Sequence, residues 1–479
     1  MATESVPGGV REGSLPAPPS AIHPELPDSA APSAPARLWR ALGSPVDGAS
    51  LAALRALFGL LLSVAAVRFL AKGTVRFEYL EPHVFFPVNE WTWLRPLPGV
   101  GMYVVWGLLA VLGLTLSVGL CTRLSAALFC VLFSYTHLVD KTNYLNHYYL
   151  VTLLTALCVV LPVGQVGSVD AWRRPGPARP WVPAWALWLV RFQVGCVYLF
   201  GGIAKLQPDW LLRAMPLRIW LPAVGDMPLL GPLLMRTSTA RAMSWAGAVY
   251  DLSVPFLLLW ARTRPLAYLA VVFFHTVTGM LFNIGMFPLF MVASSLIFLP
   301  PAWPRSLLAL VRPSGPRPPP ALPDPPGRWV LAPWQRALLV GYALVQLLLP
   351  LRHWAYPGNV LWTEDGFRFS WMVMLIEKNG DVEFTVVDRQ TGRREPVRTR
   401  DHLTAYQEKA MAAQPDLLLA FAHHLARFYR ERGRDVGVYA DAHVSLNGRP
   451  PSVFVDPSVD LSQVPESLGP RWWIRPLPR

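Results

Sequence analysis

Apolar residues recur in runs from about residue 51 to 351. They lie near 51–70, 101–121, 124–139, 148–163, 185–203, 245–262, 265–282, 286–300 and 333–351. A helix crossing a bilayer upright takes about 20 mostly apolar residues. Several runs are shorter than that, so the pattern predicts a polytopic α-helical membrane protein with about nine transmembrane helices. Ahead of the first run, residues 1–37 are rich in Pro and Ala and show no basic-then-apolar leader pattern. They are expected to form a disordered tail. The Pro-rich stretch PSGPRPPPALPDPPG (313–327) precedes the last run and is expected to be extended or disordered.

After Leu351 the pattern changes. RFSWMVMLIEKNGDVEFTVVDRQTGR (368–393) reads as a strand, a turn at Asn379-Gly380 and a second strand. Asp401 is placed to cap a helix that Pro415 interrupts, and a further helix ends at Gly433. VGVYADAHVSLNGRPPSVFVD (436–456) reads as two strands around Asn447-Gly448. The chain thus divides into a tail (1–37), a transmembrane helical domain (38–351) and a C-terminal α+β domain (352–479).

Composition supports this division. The chain is 53% hydrophobic and only 15% charged, which excludes an ordinary soluble protein. Its 20 tryptophans suit membrane–water interfaces. The net charge of +13 is mostly scattered arginine, which in such a chain sets orientation and meets lipid headgroups rather than nucleic acid. Cys121, Cys130, Cys158 and Cys196 form no C-x-x-C pair, so neither a metal site of that kind nor a disulfide framework is expected. Arg37 with Arg40, Arg123, Arg173 with Arg174, Arg262 with Arg264, and Arg305 with Arg312 and Arg317 fall in alternate loops. The positive-inside rule puts those loops in the cytoplasm. With nine spans the C-terminal domain then lies outside, in an extracytoplasmic position.

Ionisable groups inside spans are costly and usually face a cavity or a partner. Four groups stand out: Asp140, Lys141, Asn146 and His147 in DKTNYLNHYYL (140–150); Lys205 with Asp209; Asp251; and His275 with Asn283 in FFHTVTGMLFNIGMFP (273–288). In the nine-span arrangement they gather on the outer side, as if around a cavity. For each there is also a structural reading. Asp140 can cap a turn, Asp251 can hold an arginine, and Lys205 can snorkel to the interface. Yet the chain has only five lysines, Lys72, Lys141, Lys205, Lys378 and Lys409, and uses Arg for charge elsewhere. A lysine in apolar surroundings can give up its proton and act as a base, which Arg cannot do. Such a site suits deprotonation of a weakly acidic, membrane-soluble substrate.

Taken in order, VDGASLAALRALFG (46–59), YLEPHVFFP (79–87), LRPLP (94–98), GLCTRLS (119–125), DKTNYLNHYYL, VYLFGGIAKLQPDW (197–210), YDLSVPFLLLW (250–260), the stretch from Phe273 to Arg305 and FVDPSVDL (454–461) resemble the vitamin K-dependent gamma-glutamyl carboxylase family. The resemblance runs from about Arg37 to near the C-terminus. It implies that reduced vitamin K (phylloquinol or menaquinol) is oxygenated to its epoxide, with O2 and CO2 as co-substrates and no metal. That oxidation drives carboxylation of glutamate in a peptide or protein substrate to gamma-carboxyglutamate. Lys205 falls on the family's base lysine. His147 and Asn146 match the His and preceding Asn near it. His275 matches a further family histidine, and with Asn283 is assigned to the cofactor site.

The sequence also departs from the family. Ala204 stands where members carry a second lysine, and the family's two disulfide-forming cysteines are missing, their places falling near Phe85 and His424. The compact, arginine-rich form points to a bacterial member in the inner membrane, with site and C-terminal domain facing the periplasm and menaquinol as the available quinol. Two alternatives stay open. One is a quinol epoxidase without glutamate carboxylation. The other is a non-enzymatic membrane binding or transport protein on the same scaffold, in which Lys205→Arg would behave as wild type.

Overall fold

The computed structural model describes residues 33–311 and 322–478. Residues 1–32, most of the expected tail, and 313–321, most of the expected connector, lie outside the described residues. The first helix, α1 (Ala34–Leu42), begins within the stretch expected as tail. The helices of the apolar half follow: α2 (Ala49–Ala71), α3 (Gly101–Val118), α4 (Thr122–Leu138), α5 (Asn146–Val160), α6 (Ala184–Ala204), α7 (Thr237–Leu259), α8 (Arg264–Leu281), α9 (Phe287–Ser295), α10 (Trp303–Leu310) and α11 (Pro333–Leu348). Between them a two-stranded ribbon pairs β1 (Pro45–Asp47) with β2 (Trp181–Pro183).

Six helices among the described residues are long and apolar enough to cross a membrane. They are α2, α3, α6, α7, α8 and the helix from Pro333 that runs on to Ala355. A seventh is reached if Phe287–Phe298 and Trp303–Leu310, bent by 101° at their break, form one span. The expected runs at 124–139 and 148–163 correspond to α4 and α5, which are too short to meet the same test. Nine full spans are therefore more than the helix lengths provide.

Helices in an apolar solvent associate through close packing of small residues, since lipid offers no hydrophobic drive between them. At α2 and α3 the contact is glycine on both sides. A Cβ on Gly59 would lie 2.5 Å from the Ser117 amide nitrogen, and one on Gly113 would lie 2.6 Å from that of Ser63. Beside this contact Arg55, fully buried, donates to the carbonyls of Leu116, Ser117 and Gly167. It thereby satisfies the open C-terminal end of α3.

The C-terminal region is a four-stranded antiparallel sheet in the order β4 (Arg394–Val397), β3 (Lys378–Asp388), β5 (Val436–Leu446), β6 (Ser452–Val453). Two helices pack on it, α12 (Ala405–Ala413) and α13 (Pro415–Arg430). Along β5, Val438, Ala440, Ala442, Val444 and Leu446 are buried, the period-two pattern of a strand with one face on a core. Their partners in that core include Phe384, Leu417, Phe421 and Leu425.

Three expectations for this region are corrected. Asn379-Gly380 is not a turn but lies in β3, opposite Ser445 and Val444. The glycine serves close packing: a Cβ there would meet the Ala412 carbonyl oxygen at 2.7 Å. The hairpin turn falls instead at 389–393, while Asn447 and Gly448, both with positive φ, do turn the chain after β5. The helix cap is Thr404, which accepts from the Gln407 amide, rather than Asp401. Pro415 starts α13 instead of interrupting a helix, since its missing N–H costs nothing at that position.

Candidate functional site

Lys205 closes α6, where the chain leaves the helix. Its side chain is buried, and Nζ donates to Asp251 Oδ2 on α7 at 2.6 Å and to the Gly201 carbonyl at 3.2 Å. The ammonium also sits 5.4 Å above the Trp210 ring. Gly202 makes this contact possible. A Cβ on Gly202 would lie 2.9 Å from the Leu252 amide nitrogen, so only glycine lets α7 come close enough to set Asp251 against Lys205. Lys205 is buried as half of an ion pair, so its surroundings are not wholly apolar. Asp251 holds this lysine, not an arginine. Such a pair is neutral overall whichever partner carries the proton.

Asp209, expected beside Lys205, turns the other way. It takes two bonds of 2.7 Å from Arg449 and one of 3.1 Å from Asn447 Nδ2. Burial opposes its ionisation, but these donors outweigh that and hold its carboxyl below the usual value. Asp140 caps the turn at Thr142 and accepts from Gln407 Nε2 on α12. Lys141 pairs with Glu466. These three groups dock the C-terminal region onto the helices.

A second buried polar cluster adjoins the first. Tyr198, about two turns before Lys205, bonds through its hydroxyl to His275 Nε2 at 3.2 Å and to Ser295 Oγ at 2.9 Å. His275 Nδ1 is buried and has no partner among the described residues.

In front of both lies a cavity of about 550 Å³. Its walls are largely apolar, with Leu62, Phe69, Trp106, Phe133 and Phe290 among them. Asn146, His147 and Asn283 line it, as do Arg68, Lys72 and Glu78. Lys205 and His275 do not line it. Phe287 stands between the two histidines, its ring 5.7 Å from that of His147 and 6.0 Å from that of His275. The five expected residues are thus divided: three on the cavity wall and two behind it.

The chain from Phe369 to Met374 joins the two places. Met372 offers its carbonyl to Asn146 Nδ2 at 3.2 Å, Met374 lines the cavity, and the Trp371 carbonyl faces Gly201. Phe369, Trp371 and Met374 all have positive φ, a conformation that costs an ordinary residue roughly 1–2 kcal/mol. This stretch was expected to be a strand. Its Phe369 and Trp371 instead pack on Tyr149, at 4.8 and 4.9 Å.

Glu78 and Trp106 escaped the sequence reading. Burial, with the charge of Asp140 adding to it, pushes the Glu78 carboxyl up to about 8. It therefore faces the cavity as a neutral acid at pH 7. Trp106 Nε1 is buried without a partner. Neither residue was marked, because each sits in a stretch that by pattern alone is merely an apolar span or its flank.

Residues 44–303 match the HTTM domain family, and residues 331–479 match the family described as "Vitamin K-dependent gamma-carboxylase, lumenal domain". The chain belongs to the vitamin K-dependent gamma-carboxylase family. No solved structure matches it. In this carboxylase-family chain the HTTM part carries Lys205, Asp251, His275 and the cavity. The lumenal-type part sends Phe369–Met374 back between them. No group of three or more His, Cys, Asp or Glu side chains suited to a metal ion occurs among the described residues.

Proposed function

We propose that this chain is an integral-membrane, quinol-dependent glutamyl carboxylase. In this reading a reduced vitamin K or menaquinol is converted to its epoxide while peptide glutamate becomes gamma-carboxyglutamate. The site and the C-terminal region face the periplasm of a bacterial inner membrane. The observation that carries the reading is the buried Lys205–Asp251 pair, set behind an apolar cavity lined by Asn146 and His147.

The cavity suits a flat, apolar ring with two oxygens. Its walls are aromatic and aliphatic, and the neutral acid of Glu78 supplies a donor. Reaction of the reduced quinol with oxygen supplies the driving force for carboxylation. The Lys205–Asp251 pair takes the proton released by the quinol hydroxyl: at Asp251 Oδ2 when Lys205 is the ammonium, at Nζ when the shared proton lies on the carboxyl, leaving the pair with one positive charge in either case. Asn146, anchored to the Met372 carbonyl, and His147, wedged against Phe287, orient the ring. His275 buttresses Phe287 from behind and is itself fixed by Tyr198. Because Lys205 lies behind the wall, proton transfer requires the Phe369–Met374 segment to shift, and its left-handed residues make it the strained part of the site.

The test is a paired assay on the purified protein in membrane mimetic. Labelled CO2 should enter a glutamate-containing peptide only with reduced quinone and oxygen, and the same sample should form quinone epoxide. Lys205→Ala should abolish both. Epoxide without labelled peptide would replace this reading with a quinol epoxidase. Wild-type behaviour of Lys205→Arg would replace it with a binding or transport protein.

A further inference from the structure

A second cavity, also of about 550 Å³, lies on the other side of α5, between the helices and the C-terminal region. Its charges are unevenly matched. Each of its five carboxylates has a basic partner: Glu90 with His423 and Arg427, Glu364 with Lys378, Asp365 with Arg471, Asp416 with Arg368, and Glu466 with Lys141. The remaining lining cation, Arg352, makes no ion pair among the described residues. Its guanidinium donates to the Arg368 carbonyl at 2.6 Å and lies 5.8 Å from the Phe369 ring centre. Its other N–H groups make no hydrogen bond among the described residues. A cavity whose walls are neutralised except for one guanidinium is built for a ligand that brings one carboxylate.

We infer that this second cavity seats an acidic peptide segment, with one of its carboxylates on Arg352. The inference rests on the carboxylase reading, and names where its peptide docks. The aromatic walls, Tyr144, Tyr149, Tyr356 and Trp472, suit an extended chain. A link to the first cavity is already in place. Tyr144 lines the peptide cavity, and its hydroxyl bonds to Asn146 Oδ1 at 3.3 Å and accepts from the Phe369 amide at 2.9 Å. Asn146 lines the other cavity. A peptide pressing on Tyr144 therefore bears directly on the residue that orients the quinol ring.

The experiment measures binding without turnover. Fluorescein-labelled pentaglutamate is titrated into the full-length protein in nanodiscs, with pentaglutamine as control and no quinol present. Pentaglutamate should bind, and Arg352→Gln should weaken it at least tenfold, with Arg352→Lys recovering part of the loss. Oxidised menaquinone binding, read by tryptophan quenching, should stay within twofold in both variants, which shows that they fold. Unchanged pentaglutamate binding in Arg352→Gln overturns the inference, as does displacement of the peptide by phosphatidylglycerol but not by unlabelled pentaglutamate. If wild type carboxylates peptide while Arg352→Gln leaves the peptide KM unchanged, the inference fails and the carboxylase reading stands. If wild type binds pentaglutamate through Arg352 but never carboxylates it, the carboxylase reading fails and the peptide cavity stands.

Discussion

Lys205 Nζ and Asp251 Oδ2 lie 2.6 Å apart, with side-chain exposures of only 8% and 11%. Removing one member of a buried pair leaves an uncompensated charge and costs about 3–5 kcal/mol, whereas replacing both by apolar groups is often neutral. Lys205→Met and Asp251→Leu are each expected to lower the melting temperature markedly, and the double variant to recover most of it. All three should lack quinol epoxidation. A double variant as unstable as the singles, measured by thermal unfolding in detergent, would mean that the pair is not the unit described.

The two glycines before Lys205 should respond differently to substitution. A methyl group on Gly202 meets the backbone of Leu252, while on Gly201 the nearest atom is Asp251 Oδ2 at 3.6 Å, an ordinary contact. Gly202→Ala is expected to force α6 and α7 apart and cut turnover at least tenfold. Gly201→Ala should stay within about threefold of wild type. Equal losses in the two variants would show that helix approach does not set the site.

Glu78 should act through its neutral form. With its carboxyl pushed up to about 8 by burial, Glu78→Gln keeps the protonation state of the wild type at pH 7. Quinone-analogue affinity at that pH is expected to stay within a few-fold in Glu78→Gln. Above pH 8 the wild type should weaken as the carboxylate forms, and the Gln variant should not. A fall at pH 7 as large as that of Glu78→Ala would refute this.

Acid should loosen the C-terminal region through Asp416. Burial disfavours its charged form, but Arg368 overrides this and holds the carboxyl at about 2, against an ordinary 3.8. A depressed carboxyl stabilises the folded state above its unfolded value and loses that contribution as pH falls towards 2. The difference corresponds to about 2 kcal/mol. Hydrogen-exchange protection in α13, relative to the intrinsic rate at each pH, should therefore fall between pH 4 and 2 in the wild type. Asp416→Asn should be less stable at pH 7 and show little further change over that window.

The helical half was legible because span formation depends on composition over long windows, which a sequence displays directly. The number of full spans was not, because α4 and α5 are apolar yet short. Asn146, His147, Asn283, Lys205 and His275 could be singled out because polar groups in apolar runs are expensive. Their division into cavity wall and buried pair could not, since it depends on Gly202 and Phe287, whose roles are matters of contact. The RFSWM stretch (368–372) read as a strand from its aromatic residues. It became an irregular segment because Tyr144, Tyr149 and Asn146 provide partners that no sheet edge supplies. Asn379-Gly380 carried a turn signal, but the approach of the Ala412 carbonyl required a glycine there for a different reason.

The first turn of α5 and the residues leading into it face two ways, with Asn146, His147 and Tyr148 on one cavity and Tyr144 and Tyr149 on the other. Each added residue rotates a helix by about 100°. A single insertion or deletion between Tyr144 and Tyr149 would thus exchange the outlooks of these side chains and spoil both chambers together. Length in this short stretch is as diagnostic as residue identity. A homologous sequence that keeps every lining residue but differs here by one position should be read as having lost the function, or as having built a different one.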